Sequence, residues 1–167
     1  EDGIRDYKVT GVQTCALPIY VATSAPTASD IVVVRKNNTL TVNTTSAVCG
    51  RIELGANAKD TWGGLGFSST GSPKLTVSGQ VVIGGYGSTS TNRQGIVTLV
   101  NGATLEAEDI VLTRSTAGSD NPGTLSMATG GTLIANTITL GQGTATWTPG
   151  TGTVILTSTN KIGRAHV

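Results

Sequence analysis

Histidine, cysteine and aromatic side chains are nearly missing from this chain. Its 167 residues include one histidine, two cysteines, one methionine, two tryptophans, three tyrosines and one phenylalanine, so aromatics reach only 4%. A Cys/His metal site therefore has few ligands to draw on, and any Ser-His-Asp triad would have to use His166. Charge is scarce too: 13% of residues are charged, and they nearly cancel to a net +1. That leaves no basic stripe for phosphate backbones and no acidic surface, so nucleic acid is not an expected partner. No apolar run approaches the roughly 18 residues that a membrane-spanning helix needs. With so few large side chains, the length suffices for one ordered domain but its core must be thin.

What the chain has instead is glycine, threonine and periodicity. Its 23 glycines and many hydroxyl residues would suggest disorder, except that the apolar residues alternate at period two within short runs. The stretch from Gly123 to Gly141 repeats the pattern from Gly95 to Thr113. Val97, Leu99, Leu105, Ala107, Ile110 and Leu112 fall 28 residues before Leu125, Met127, Leu133, Ala135, Ile138 and Leu140. A fixed period built from short alternating strands predicts an all-β parallel β-solenoid (β-helix), in which a coil cannot bury its apolar face alone and is stable only against its neighbours. An antiparallel β-sandwich also uses short strands, but it gives no reason for a 28-residue register.

The spacing predicts about four coils of three short strands each. The first takes Ile31–Val34, Thr39–Val42 and Arg51–Gly55, and the second takes Gly64–Ser68, Lys74–Val77 and Val81–Gly84. Leu65, Phe67, Leu75, Val77, Val81 and Ile83 then face inward. The two repeats already aligned are the third and fourth coils, and Thr153–Thr157 starts a fifth that is truncated at the C-terminal end. Ala56–Gly63, Gly85–Gln94, Arg114–Pro122 and Gln142–Gly150 read as loops gathered along one edge. Residues 20–30, small and polar around Pro26, read as an extended lead-in to a repeat region spanning 31–160.

The two ends read differently. Glu1–Asp6 and Val9–Ile19 resemble a translated short-read sequencing adapter, codon by codon, and Ile162–Val167 resembles the opposite adapter followed by its stop codon. The resemblance implies that residues 1–19 and 161–167 are adapter-derived and lie outside fold reasoning. It also removes His166 and Cys15, leaving Cys49 as the only thiol and no histidine, so a Cys/His metal site and a Ser-His-Asp triad are excluded from residues 20–160. Cys49 reads as a small buried hydrophobe.

The Gly-Thr-Leu and Gly-Gly-Thr-Leu-Ile-Ala repeats, with Trp147-Thr-Pro-Gly-Thr-Gly-Thr-Val-Ile-Leu-Thr157, resemble those of secreted bacterial adhesin-like and autotransporter-like β-solenoid proteins. The resemblance implies an exported, secreted or cell-surface protein in which this segment is a structural or adhesive spacer. It implies no catalysis of its own, no cofactor and no metal. Surface polysaccharide and other cells are the partners it implies, and self-association through the open solenoid end is expected separately, because Thr153–Thr157 would present unpaired backbone groups and an apolar edge to another chain.

Other functions need particular residues. A parallel β-helix lyase or glycosidase requires clustered acids, and Glu106, Glu108 and Asp109 are the one acidic cluster. Their counterparts one repeat later are Ile134, Asn136 and Thr137, so no carboxylate ladder forms and a solvated strand edge is the simpler reading. A carbohydrate-binding module would stack sugars on aromatic rings, for which Trp62, Tyr86 and Trp147 are the candidates. Ice binding would use outward threonines such as Thr39 with Thr41 or Thr137 with Thr139, but Arg51, Glu53, Lys74, Glu106 and Asp109 are expected to interrupt the faces. On that expectation β-propensity explains the threonines better. Gly84–Gly87 lacks the lysine and helix of a phosphate loop.

Overall fold

A computed structural model of the protein describes residues 25–55, 61–85, 93–113, 121–141 and 143–158. Tyr86, Cys15, His166 and both adapter-like ends lie outside the described residues. No helix occurs among the described residues, and none could therefore cross a membrane. The twelve strands are β1 (Ile31–Val34), β2 (Asn38–Val42), β3 (Ala47–Cys49), β4 (Arg51–Leu54), β5 (Thr61–Phe67) and β6 (Lys74–Ile83), followed by β7 (Arg93–Thr98), β8 (Thr104–Leu112), β9 (Gly123–Ser126), β10 (Thr132–Leu140), β11 (Ala145–Thr148) and β12 (Thr153–Leu156).

These strands form two sheets in which every pairing is parallel. The larger sheet runs β1-β4-β6-β8-β10-β12, with β3 also paired to β6, and the smaller runs β11-β9-β7-β5-β2. From β4 onward the chain alternates strictly, one strand to the small sheet and the next to the large. Each strand lies beside the equivalent strand of the preceding repeat, about 4.8 Å away.

The apolar residues stack in columns between the sheets. Leu75, Leu105, Leu133 and Val154 are in register on the large sheet, as are Val81, Ile110 and Ile138. Leu40, Leu65, Val97 and Leu125 do the same on the small sheet. The 28-residue register read from the sequence is thus the pairing register of β8 with β10 and of β7 with β9. Leu65, Phe67, Leu75, Val77, Val81 and Ile83 are all buried, as their alternation requires. Period two places each of them on the core side of its sheet, and stacking the repeats removes from water an apolar face too small to bury itself.

Several expectations about the strands are corrected. Each repeat holds two strands rather than three, because the second and third expected strands are one continuous strand in β6, β8 and β10. A bulge carries β6 through the junction: its register against β8 shifts between Val77 and Gln80, so it contains one residue more than its partner and the repeat there is looser. Only the first repeat is broken, at Gly50 between β3 and β4. Ile31–Val34 does not open the first repeat; it pairs with β4 in the large sheet. Thr153–Leu156 likewise lies beside Thr132–Ala135, and the small-sheet strand of that last level is β11, within a stretch expected to be loop. Thr61–Gly63 also belongs to a strand. Residues 27–30 are tied down: Gly50 and Arg51 donate their N–H groups to the Asp30 carbonyl, and the Ser78 hydroxyl donates to the Ala28 carbonyl at 2.7 Å.

The corner between the sheets is built from close backbone contact. Gly63, Gly95 and Gly123 form one column at the start of the small-sheet strands. A Cβ on Gly63 would strike the Val34 carbonyl, and one on Gly95 would strike Gly84 N and the Ile83 backbone. The chain leaving the large sheet turns through Gly55 (φ 79°) and Gly84 (φ 91°), and at the equivalent place one repeat later stands Thr113 with φ 59°. Left-handed backbone is costly for a β-branched residue. Thr113 is moreover fully buried, and its Oγ1 has no hydrogen-bond partner among the described residues. Thr113→Gly is therefore expected to stabilise the fold by about 1 kcal/mol, since relief of strain and of a buried unpaired hydroxyl outweighs glycine's added backbone entropy. A denaturant melt compared with the parent reads this directly; a lower midpoint would show that the threonine methyl group is needed to fill the corner.

Candidate functional site

The two sheets turn very different outer faces to solvent. On the large sheet several outward side chains are charged or polar and pair with one another, beside apolar Val33, Val48, Ile134 and Ile155. Arg51 pairs with Glu53 at 2.8 Å, and Lys74 with Glu106 at 2.6 Å. The Thr137 hydroxyl donates to Asp109 Oδ1 at 2.6 Å, and the Thr157 hydroxyl donates to Asn136 Oδ1 at 2.5 Å. The acidic cluster is part of this pattern: Glu106 stands beside Ile134 and Asp109 beside Thr137, so its carboxylates meet a lysine and a threonine hydroxyl rather than one another. Exposed pairs of this kind contribute up to about 1 kcal/mol each. Among the described residues no group of three or more His, Cys, Asp or Glu is placed to hold a metal ion.

On the small sheet the outward positions form two long columns, with Trp62 and Gln94 a short third at the start of β5 and β7. One is Thr39, Gly64, Ile96, Thr124 and Thr146; the other is Thr41, Gly66, Thr98, Ser126 and Thr148. Inward neighbours such as Leu65, Val97 and Leu125 hold these strands against the core, and no register shift interrupts the small sheet. Arg93 is the one charged residue in its strands, and it is buried on the inward side of β7. The expectation that charges interrupt every face is thus corrected: Arg51, Glu53, Lys74, Glu106 and Asp109 all lie on the large sheet. Thr137 and Thr139 are on that sheet as well, whereas Thr39 and Thr41 are on the uncharged one. Of the residues that extend the uncharged array, Thr98 and Ser126 were legible through the repeat, since Ser126 lies one full period after Thr98, whereas Thr148 joins them only through the pairing of β11 with β9.

No protein-family model, curated protein or solved structure matches the chain.

Of the candidate sugar-stacking residues, Trp62 and Trp147 are not brought together. Trp62 lies in β5 rather than in a loop, on the outer face of the small sheet, half-buried and in register with Gln94. Its ring covers the space that glycine leaves at position 64, with Cζ3 3.1 Å from where a Cβ would stand. Covering a strand glycine with a neighbouring ring supplies packing that glycine lacks. Trp147 is in β11, in the inward column with Leu125, Val97 and Leu65, and is 39% exposed because no further strand of the described chain covers it. Tyr86 lies outside the described residues.

Cys49 stands in the core at the end of β3, unpaired and buried. Burial, helped by the Asp30 carboxylate, pushes its thiol up from 9.0 to about 12. The nucleophilic thiolate is thereby suppressed at neutral pH, in keeping with a packing role. The folded chain holds this proton through a range in which the unfolded chain has lost it. The stabilisation is complete below pH 9 and is lost as pH rises toward 12. Between about pH 8 and pH 10 the denaturant midpoint is expected to fall more for the parent than for Cys49→Ala, and equal slopes would remove the thiol from the linkage.

Proposed function

We propose that residues 31–160 are a parallel β-solenoid segment serving as a rigid structural or adhesive stretch of an exported, secreted or surface-attached bacterial protein, adhesin-like and without catalysis of its own. The observation that supports this reading is the alternation of strands between two wholly parallel sheets, in one register throughout the small sheet and with a single bulge, in β6, in the large one, so that every level rests on the one before. Stability then accumulates by repetition, and the body lengthens by about 4.8 Å per level, which suits a spacer. The flanks 1–19 and 161–167, read as adapter-derived, take no part in it.

The same stacking supports self-association. At one end of the described stack β11 and β12 are edge strands, with Leu140 48% and the inward-facing Leu156 38% exposed. Open parallel edges with an apolar cross-section are templates for another strand pair, and a second copy of this chain presents one at β1 and β2. Sedimentation is expected to show species above the monomer that grow with concentration and shrink in Leu140→Lys. Incubation with pectin, xylan and alginate is expected to release no new reducing ends. Turnover of any of them would end the spacer reading, and a monomer at all concentrations would end the docking one.

A further inference from the structure

We infer that the outer face of the small sheet is a binding surface for ordered water at the surface of ice. The inference is independent of export or of any spacer role, because it rests on the face alone. Three observations converge on it. The face has a regular repeat: outward side chains recur about 6.6 Å apart along each strand and about 4.8 Å apart between strands, and all four pairings of the small sheet keep one register. Its side chains are stiff: Ile96, Thr98, Thr124, Thr146 and Thr148 are β-branched, so their methyl and hydroxyl groups are held in place before anything binds.

The third observation is the absence of charge from this face. On the large sheet Arg51, Glu53, Lys74, Glu106 and Asp109 stand among the outward threonines, and the Thr137 hydroxyl is bonded to Asp109. The Thr98, Thr124, Ser126, Thr146 and Thr148 hydroxyls have no protein partner among the described residues, and no charge stands among them. A charged group holds its own hydration shell radially, and placing it against a rigid lattice would strip that shell at a cost. An uncharged row of hydroxyls offers each water one hydrogen bond at a fixed point, and the methyl groups between them leave the rest of the layer to bond to itself. A neutral polysaccharide surface would favour coplanar exposed rings, whereas Trp62 is folded over Gly64 and Trp147 belongs to the inward column.

The test uses the full chain and ice itself. Ice recrystallisation inhibition and faceting of a single crystal in a nanolitre osmometer are expected for the parent. Thr124→Lys, in the middle of the hydroxyl rows, is expected to lower inhibitory potency by about tenfold or more, since each tenfold needs only about 1.4 kcal/mol. Thr148→Lys, on the edge strand, does the same and covers the case in which the first variant folds poorly. Thr132→Lys, on the charged sheet, is expected to leave potency unchanged, with circular dichroism confirming the fold of each variant. A folded parent that leaves ice growth unaltered overturns the proposal. So does a folded Thr148→Lys chain with full potency, or retention of the parent on cellulose or chitin without any effect on ice.

Discussion

Leu133→Asp is expected to abolish the cooperative melting transition of this protein. Leu133 is fully buried on β10, one strand in from the edge of the large sheet, with Leu105 on one side in register and Val154 on the other. A carboxylate there has no partner, because the neighbours in its column are aliphatic, and the desolvation of an unpaired charge adds to the lost packing of a leucine. The combined cost, about 4 kcal/mol or more, is a large share of the roughly 5–15 kcal/mol that holds a domain folded. Leu140→Asp is the matched control. The period assigns Leu140 to the same interior as Leu133, but β12 pairs only with Thr132–Ala135, so among the described residues no strand covers the far half of β10 and Leu140 is 48% exposed. That substitution is expected to cost less than about 1 kcal/mol. Equal effects of the two in thermal or denaturant melts would overturn the register.

Gly95→Ala is expected to be nearly as damaging although it adds a single methyl group. The added Cβ would meet Gly84 N and the Ile83 backbone, and neither can rotate away as a side chain could. Relief requires the end of β6 and the start of β7 to move apart, which disturbs the hydrogen bond from Gly95 N to the Pro122 carbonyl at 2.9 Å. Overpacking against fixed backbone places the cost at about 3 kcal/mol. Gly71→Ala tests whether this reflects contact rather than backbone conformation. Gly71 has φ 78°, yet a Cβ there would meet nothing within 4 Å. Only the left-handed penalty of about 1–2 kcal/mol therefore applies. A Gly95→Ala chain as stable as Gly71→Ala would mean that the corner opens easily.

Both predictions depend on pairing that local sequence reports unevenly. Where a repeat is well copied, as from Val97–Leu112 to Leu125–Leu140, like residues recur at one spacing and the inward columns follow from that spacing alone. Ile138 and Leu140 show the limit of that reading. Their period is right and their strand is right, but their burial depends on whether another strand lies alongside, and β12 is too short to reach them. β11 shows the complementary limit. Ala-Thr-Trp-Thr carries only one large apolar residue, so it lacks an alternating signal of its own and becomes a strand by pairing with β9. The three-strand repeat failed for a similar reason: a Gly or polar residue midway through a run looks like a turn, while the bulge at Ser78–Gly79 lets β6 continue past it.

The uncharged face depends on the same distinction. By itself the sequence determined the all-β class, the period and the alternation of inward and outward residues, because those follow from side-chain spacing along an extended backbone. It could not say which outward residues share a surface. Thr39 and Arg51 are 12 positions apart and both point outward, and in a single sheet the arginine would break the threonine row. Only the tertiary structure decided that β2, β5, β7, β9 and β11 pair with one another and β4, β6, β8 and β10 with one another. Pairing between residues a full repeat apart is a long-range choice, made by hydrogen bonds and core packing that no local window contains, and it is what gathers the charges on one sheet and leaves hydroxyls on the other.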